Sequence, residues 1–125
     1  MHALTSEWIA KAESDWRTAN REIRVRRAPN YDDVCFHCQQ CIEEYLKAFL
    51  QEQGHRIPKI HDLNQLLEYC LPYDGTLELH RDLLKELTRY AVEFRYPGES
   101  ATKEDARTAL RHAKTLRAFL RPKFR

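Results

Sequence analysis

The sequence is poor in the residues that interrupt helices. Gly occurs 3 times and Pro 5 times in 125 residues, and no segment alternates apolar and polar residues long enough to indicate a strand. No apolar run approaches the roughly 20 residues that cross a bilayer, and the N-terminus lacks the basic-then-apolar order of a signal peptide. We therefore expect a helical, soluble protein of the cytoplasm.

The composition is that of one folded domain. Hydrophobic residues make up 42% of the chain and charged residues 32%, and the length suffices for a single hydrophobic core. We expect residues 1–125 to form one domain. The formal net charge is only +2, but residues 101–125 hold eight Lys and Arg against two acidic residues, so the C-terminal segment is basic.

Apolar residues recur at helical spacing in five segments, each bounded by capping or breaking residues. Thr5 or Ser6 is the predicted N-cap of the first helix, Asn30 of the second and Thr102 of the fifth. Asp62 or His61 is predicted to open the third. The predicted helices cover residues 5–27, 31–53, 62–70, 76–96 and 103 to about 120. Four long helices and one short helix with short connections predict an all-α fold, an antiparallel helical bundle.

Three cysteines recur at intervals of three, at Cys35, Cys38 and Cys41, and resemble a set of metal ligands. Zinc requires four ligands in a tetrahedron, whereas a continuous helix directs successive thiolates apart. An iron–sulfur site needs the same convergence and a fourth cysteine, for which Cys70 is the only candidate. On a helical wheel the three cysteines fall within the apolar arc that also holds Ile42. Because free Cys behaves as a small hydrophobic residue, we expect packing rather than a metal site, and no cofactor.

Three motifs carry a resemblance that extends over nearly the whole chain. They are FHCQQCIEEYLKAFL (36–50), GHRIPKIHDLNQLL (54–67) and RYAVEFRYPGE (89–99). In this order they resemble the corresponding elements of the HEPN superfamily (higher eukaryotes and prokaryotes nucleotide-binding domains). Family members commonly have alanine at the positions of Cys38 and Cys41, which agrees with a packing role. Ile42 and Tyr45 in place of alanine, and Glu44 in place of lysine, indicate local repacking.

The resemblance implies a helical bundle that is commonly a homodimer. Many small members are encoded beside a minimal nucleotidyltransferase and form a toxin–antitoxin pair with it, and others are metal-independent ribonucleases with an R-x(4–6)-H motif. Arg89 fits the arginine of that motif, but no histidine lies four to seven residues beyond it. General acid–base catalysis contributes about 10²- to 10⁴-fold in rate, so its loss favours an interaction module that is non-catalytic or only weakly active.

Two alternatives remain open. One is an RNA-cleaving toxin that uses Arg89 with an atypical acid or base, Tyr96 or Glu93. The other is a nucleotide-binding domain without catalysis. His61 precedes a predicted helix start and is interpreted as a helix-start residue rather than a catalyst.

Candidate binding residues fall into two groups. The candidates for nucleotide or RNA binding are Lys47, Arg89, Arg95, Tyr96, Arg107, Arg111 and Lys114. The side of the second helix opposite the cysteines presents the family-like pattern of Phe36, His37, Gln40 and Glu43. The basic stripe of the last helix is either a solubilising outer face or an electrostatic track for RNA or an acidic protein.

Overall fold

A computed structural model describes residues 1–124 and contains five α-helices and two short 3₁₀ helices, at Gly75–His80 and Arg121–Lys123. The α-helices are α1 (Ala3–Glu22), α2 (Tyr31–Glu52), α3 (Leu63–Cys70), α4 (Arg81–Glu93) and α5 (Lys103–Leu120). No strand occurs within residues 1–124, which confirms the predicted all-α fold. No helix in this part of the chain has the length and apolar character that a bilayer-spanning segment needs.

Contacts at the ends of the helices fix the directions of α1 and α5 relative to α2. Thr5, near the start of α1, donates a hydrogen bond from Oγ1 to Oε1 of Glu52 at the end of α2, at 3.0 Å. At the other end of the bundle, the Ala101 backbone N–H before α5 donates to Oδ1 of Asp32 in the first turn of α2, at 2.7 Å. Therefore α1 runs opposite to α2, and α5 runs parallel to α2.

The predicted caps of α2 and α5 are confirmed. The Asn30 side chain accepts a hydrogen bond from the backbone N–H of Asp33 at 3.0 Å. Thr102 and Asp105 form a capping box, in which each side chain accepts from the other residue's backbone N–H. These bonds satisfy backbone donors that have no partner inside the helix.

The predicted bounds of α1, residues 5–27, are wrong at both ends. The helix begins at Ala3 with His2 as N-cap, because Glu52 accepts hydrogen bonds from the backbone N–H of His2 and from the buried Thr5 hydroxyl. It ends at Glu22, whose carboxylate accepts from the Asn30 backbone N–H at 2.9 Å and so draws the chain back toward α2. Neither contact could be predicted from the residues next to the ends of the helix.

The predicted fourth helix, residues 76–96, is also shorter than expected. The segment begins as a 3₁₀ helix capped by Asp74, whose side chain accepts from the Thr76 backbone N–H at 3.0 Å. The α-helix ends at Glu93, three residues before Tyr96, and Pro97 disfavours helical conformation in the residue that precedes it. Arg95 therefore lies in a turn beyond the end of α4.

Helix α2 lies at the centre of the bundle and packs against α1, α3, α4 and α5. Every residue from Cys41 to Leu50 is buried, including three with charged side chains. Cys35, Cys38, Cys41 and Cys70 are free thiols in this core, and burial raises the pKa of all four. Their packing role agrees with the interpretation from the sequence.

A partly buried ion pair joins α1 to α5 across the outer side of α2. The Arg117 guanidinium donates two hydrogen bonds to the Glu13 carboxylate, at 2.6 and 2.7 Å, and Tyr45 of α2 donates its hydroxyl to the same carboxylate. The Arg117 side chain also lies 5.2 Å from the centre of the Trp16 ring. The hydrogen bonds from Arg117 are the main reason why the pKa of Glu13 falls to about 2. Three helices are thus connected through one carboxylate.

A second polar cluster lies between α1 and α2. His37 Nδ1 is 2.6 Å from Asp15 Oδ1, and the buried Glu44 carboxyl adjoins the same aspartate. Burial, together with the hydrogen bond to Asp15 and its negative charge, raises the pKa of Glu44 to about 9. Glu44 is therefore protonated at neutral pH, which removes the charge repulsion between the two carboxyl groups.

Candidate functional site

A polar groove of about 390 Å³ lies between the first half of α2 and the end of α4. Its walls are formed by Phe36, Gln39, Gln40, His61, Asp62, Thr88, Ala91, Val92 and Arg95. A second cavity of about 280 Å³ shares Phe36, Ala91 and Arg95 with it and extends to Asp32 and Asp33. Sites for small ligands commonly measure about 300–1,000 Å³, so the groove has room for a nucleotide-sized ligand.

Arg95 supplies the cation of this groove. Its guanidinium lies 5.2 Å from the centre of the Phe36 ring, which holds the planar group against the α2 wall. The arginines that pair with carboxylates within residues 1–124 are Arg81, Arg111 and Arg117. Arg95 is exposed and is not among them, so its donors are available to an anion. A guanidinium presents paired N–H donors that match the oxygens of a phosphate or carboxylate.

The opposite wall is the loop that leads into α3. Asp62 is the N-cap of α3 and accepts hydrogen bonds from the backbone N–H groups of Asn64 and Gln65. The Leu63 backbone N–H donates to Thr88 Oγ1 of α4 at 3.2 Å, and Gln39 Nε2 of α2 donates to the His61 carbonyl at 2.8 Å. The segment from His61 to Leu63 is therefore fixed to α2 through Gln39 and to α4 through Thr88.

A buried carboxylate beneath the groove orients the His61 ring. Glu43 is 3% exposed, and its oxygens lie 2.9 Å from Lys47 Nζ, 3.0 Å from His61 Nδ1 and 3.3 Å from Gln39 Nε2. The His61 side chain itself is 80% exposed. With Nδ1 engaged by Glu43, Nε2 is the ring nitrogen left for a ligand or a proton transfer.

The structure corrects the interpretation of His61 as a helix-start residue. The first turn of α3 does receive a side-chain acceptor, as predicted, but that acceptor is Asp62. His61 instead lines the groove and contacts a carboxylate of α2. Sequence reasoning also missed Gln39 and Thr88. The spacing of Gln39, Glu43 and Lys47 at successive helical turns is the signal that could have indicated a connected polar row.

The residues of the family-like pattern on α2 separate into different environments. Phe36 and Gln40 line the groove, whereas His37 contacts Asp15 of α1. Glu43 lies beneath the groove, and Lys47 is 6% exposed and paired with Glu43. The polar side of α2 is therefore turned into the protein over most of its length.

The other predicted binding residues do not line the groove. Arg89 lies over the Tyr90 ring, 5.3 Å from its centre, beside a shallow depression on the outer side of α4. Tyr96 is exposed in the turn after α4. Arg107, Arg111 and Lys114 are exposed on α5, where Arg111 lies 3.7 Å from Glu104.

The fold and the groove define a small all-helical domain with a cation and a carboxylate-bound histidine facing each other across a ligand-sized groove. The chain belongs to the HEPN domain family, whose sequence profile matches residues 5–123. Among curated proteins none matches the chain significantly.

Two solved structures share the fold over almost their whole length. The crystal structure of TT1696 from Thermus thermophilus has 25% sequence identity and a TM-score of 0.79, over 96% of this chain and 98% of that chain. ST0689, described as an archaeal HEPN homologue, has 22% identity and a TM-score of 0.76, over 97% of this chain and 98% of that chain.

Proposed function

We propose that the chain is a single-domain HEPN binding module whose α2–α4 groove binds the phosphate of a nucleotide or of RNA. One observation carries this proposal: Arg95, which has no carboxylate partner among residues 1–124, lies over Phe36 at a groove of about 390 Å³. The guanidinium would bind phosphate oxygens, and the Gln40 amide and the free Nε2 of His61 supply further polar contacts. The groove residues require no metal or cofactor for such binding.

The partner and the oligomeric state form a second part of the proposal. We infer that the protein is a homodimer and the interaction module of a toxin–antitoxin pair with a minimal nucleotidyltransferase, as in many small HEPN proteins. Membership of the family supports this assignment. Four free, buried thiols suit the reducing cytoplasm as the compartment.

Replacement of Arg95 tests the groove. We expect ATP or GTP to bind in a calorimetric titration, and Arg95→Ala to weaken the binding about tenfold or more, because hydrogen bonds to charged groups contribute about 1.5–3 kcal/mol. Arg89→Ala is the matched control, since it removes another exposed arginine of the same region that lies outside the groove. Equal losses in both variants, or no heat with the parent protein, would refute the groove as the nucleotide site.

Co-expression tests the partner. We expect the nucleotidyltransferase encoded next to this chain to co-purify with it through size exclusion. Without that partner, light scattering is expected to give twice the chain mass of 14.9 kDa. The lack of a neighbouring nucleotidyltransferase gene, or separate elution of the two proteins, would contradict the pairing. A mass of one chain would contradict the dimer.

A second candidate function is metal-independent RNA cleavage, and the contact between His61 and Glu43 favours it. His61 Nε2 would take the proton of a ribose 2′-hydroxyl, and the 2′-oxygen would attack phosphorus. The bond to the 5′-oxygen would break, and that oxygen would take a proton from water. Arg95 would stabilise the charge that develops on the phosphate oxygens. Glu43 would act as a positioning residue. Arg89, Tyr96 and Glu93 have no role in this route.

His61→Ala distinguishes cleavage from binding. If the parent cuts single-stranded RNA, we expect His61→Ala to lower the rate about 10²- to 10⁴-fold. Nucleotide affinity should fall only about tenfold or less, because one neutral polar contact is lost while Arg95 remains. Added imidazole should restore part of the rate, which a purely structural loss would not allow. Intact RNA after incubation with the parent, or full activity in His61→Ala, would dispose of this candidate and leave the binding proposal standing.

A further inference from the structure

A second surface of the protein carries positive charge, on the outer side of the bundle where α1 and α5 flank α2. Six of the exposed cations on α1, on α5 and in the turn that follows α5 form this surface. They are Arg17, Arg21, Lys103, Arg107, Lys114 and Arg121, and together they form what we call the α1–α5 basic face.

The ion pair between Glu13 and Arg117 shows that the six cations share one side. On an ideal helix, four cations lie within about 80° of Arg117 around the α5 axis, all rotated in the same direction: Lys103, Arg107, Lys114 and Arg121. Arg17 and Arg21 lie about 40° and 80° from Glu13 on α1. Arg121 is close enough to Glu13 for its charge to help lower the pKa of that carboxyl. Because α1 and α5 are antiparallel, Arg17 lies level with Lys114, and Arg21 lies toward Arg107.

Apart from Glu7, near the start of α1, the acidic residues of both helices are engaged elsewhere. Glu13 is already paired with Arg117, Asp15 contacts His37 on the α2 side, and Glu22 accepts from the Asn30 backbone. On α5, Asp105 belongs to the capping box and Glu104 lies beside Arg111. None of the six cations of this face is among the Lys and Arg residues that form ion pairs within residues 1–124. Their mutual repulsion is relieved when a polyanion binds.

The types of side chain exposed on this face favour a nucleic acid over a protein as its partner. The large exposed hydrophobic residues are Met1, Leu4, Val25, Tyr69, Tyr73, Leu79, Val92 and Tyr96. None of them lies on α5 or on the second half of α1. A protein partner would require an apolar centre to its interface, and a single strand would require aromatic rings for base stacking. A row of cations alone suits the phosphate backbone of a double helix.

We propose that the α1–α5 basic face binds double-stranded nucleic acid through its phosphate backbone, without sequence preference and separately from the α2–α4 groove. Lys103 and Arg121 are separated by 18 residues, and at about 1.5 Å per residue they span about 27 Å of helix. This length allows contacts to several successive phosphates of one duplex. RNA and DNA duplexes of the same sequence are expected to bind with similar affinity, because neither bases nor sugars are read.

The test is fluorescence anisotropy with a labelled 20-base-pair duplex, prepared as RNA and as DNA, at increasing KCl. If about five or six phosphates are contacted, the logarithm of the DNA binding constant should fall with the logarithm of salt at a slope of about −5. The triple variant Arg17→Glu, Arg107→Glu, Lys114→Glu should lose about 30-fold or more in affinity, and its slope should flatten by about 3.

The matched control is Arg56→Glu, Lys59→Glu, Lys85→Glu, which makes the same change of net charge at exposed positions on other faces. It should bind within about threefold of the parent, as should Arg95→Ala in the groove. The proposal is overturned if the control loses as much affinity as the test variant, or if Arg95→Ala abolishes duplex binding. It is also overturned if polyglutamate competes as well as unlabelled duplex, or if the parent binds more weakly than about 10⁻⁴ M at 100 mM KCl.

Discussion

The structure depends on the burial of α2 on every side. From Cys41 to Leu50 this helix has no exposed face, so each of its polar groups needs a partner from within the protein. Tyr45 donates a hydrogen bond to Glu13 of α1, Glu43 accepts one from Lys47 one turn along, and Glu44 is protonated beside Asp15. Removing one partner of such a group leaves a buried, unsatisfied polar atom, which is more damaging than the loss of an exposed ion pair.

The candidate site lies where the burial of α2 ends, near the start of the helix. Toward its N-terminus α2 is less covered, and Phe36 and Gln40 reach the groove while Glu43 stays beneath it. The buried carboxylate orients His61 from below. Because α4 ends at Glu93, Arg95 lies in the following turn and contacts Phe36. The groove is thus built on the central helix, and its arginine and histidine come from the segments that border it.

The sequence predicted the helices better than the site, and the reason is the range of the interactions concerned. Caps such as Asn30 and Thr102 act on residues three positions away, and helical periodicity is equally local. The start of α1 depends instead on Glu52, about fifty residues away. The approach of His61 to Glu43 depends on how a loop packs against α2, which no local pattern records. The inward-facing cysteines were predictable because they share an arc with other apolar residues.

The most direct test of the central role of α2 is the pH dependence of unfolding by urea, with Glu44→Gln as the variant. In the parent, the stabilising contribution of protonated Glu44 is fully present below its unfolded pKa of about 4.5. It is lost as the pH rises toward about 9. For one such group, the free energy of unfolding changes by no more than about 1.4 kcal/mol per pH unit. The account predicts that the free energy of unfolding falls between pH 5 and 9 and falls clearly less in Glu44→Gln. An identical pH dependence in both proteins would contradict it, because Glu44 would then titrate as an exposed residue.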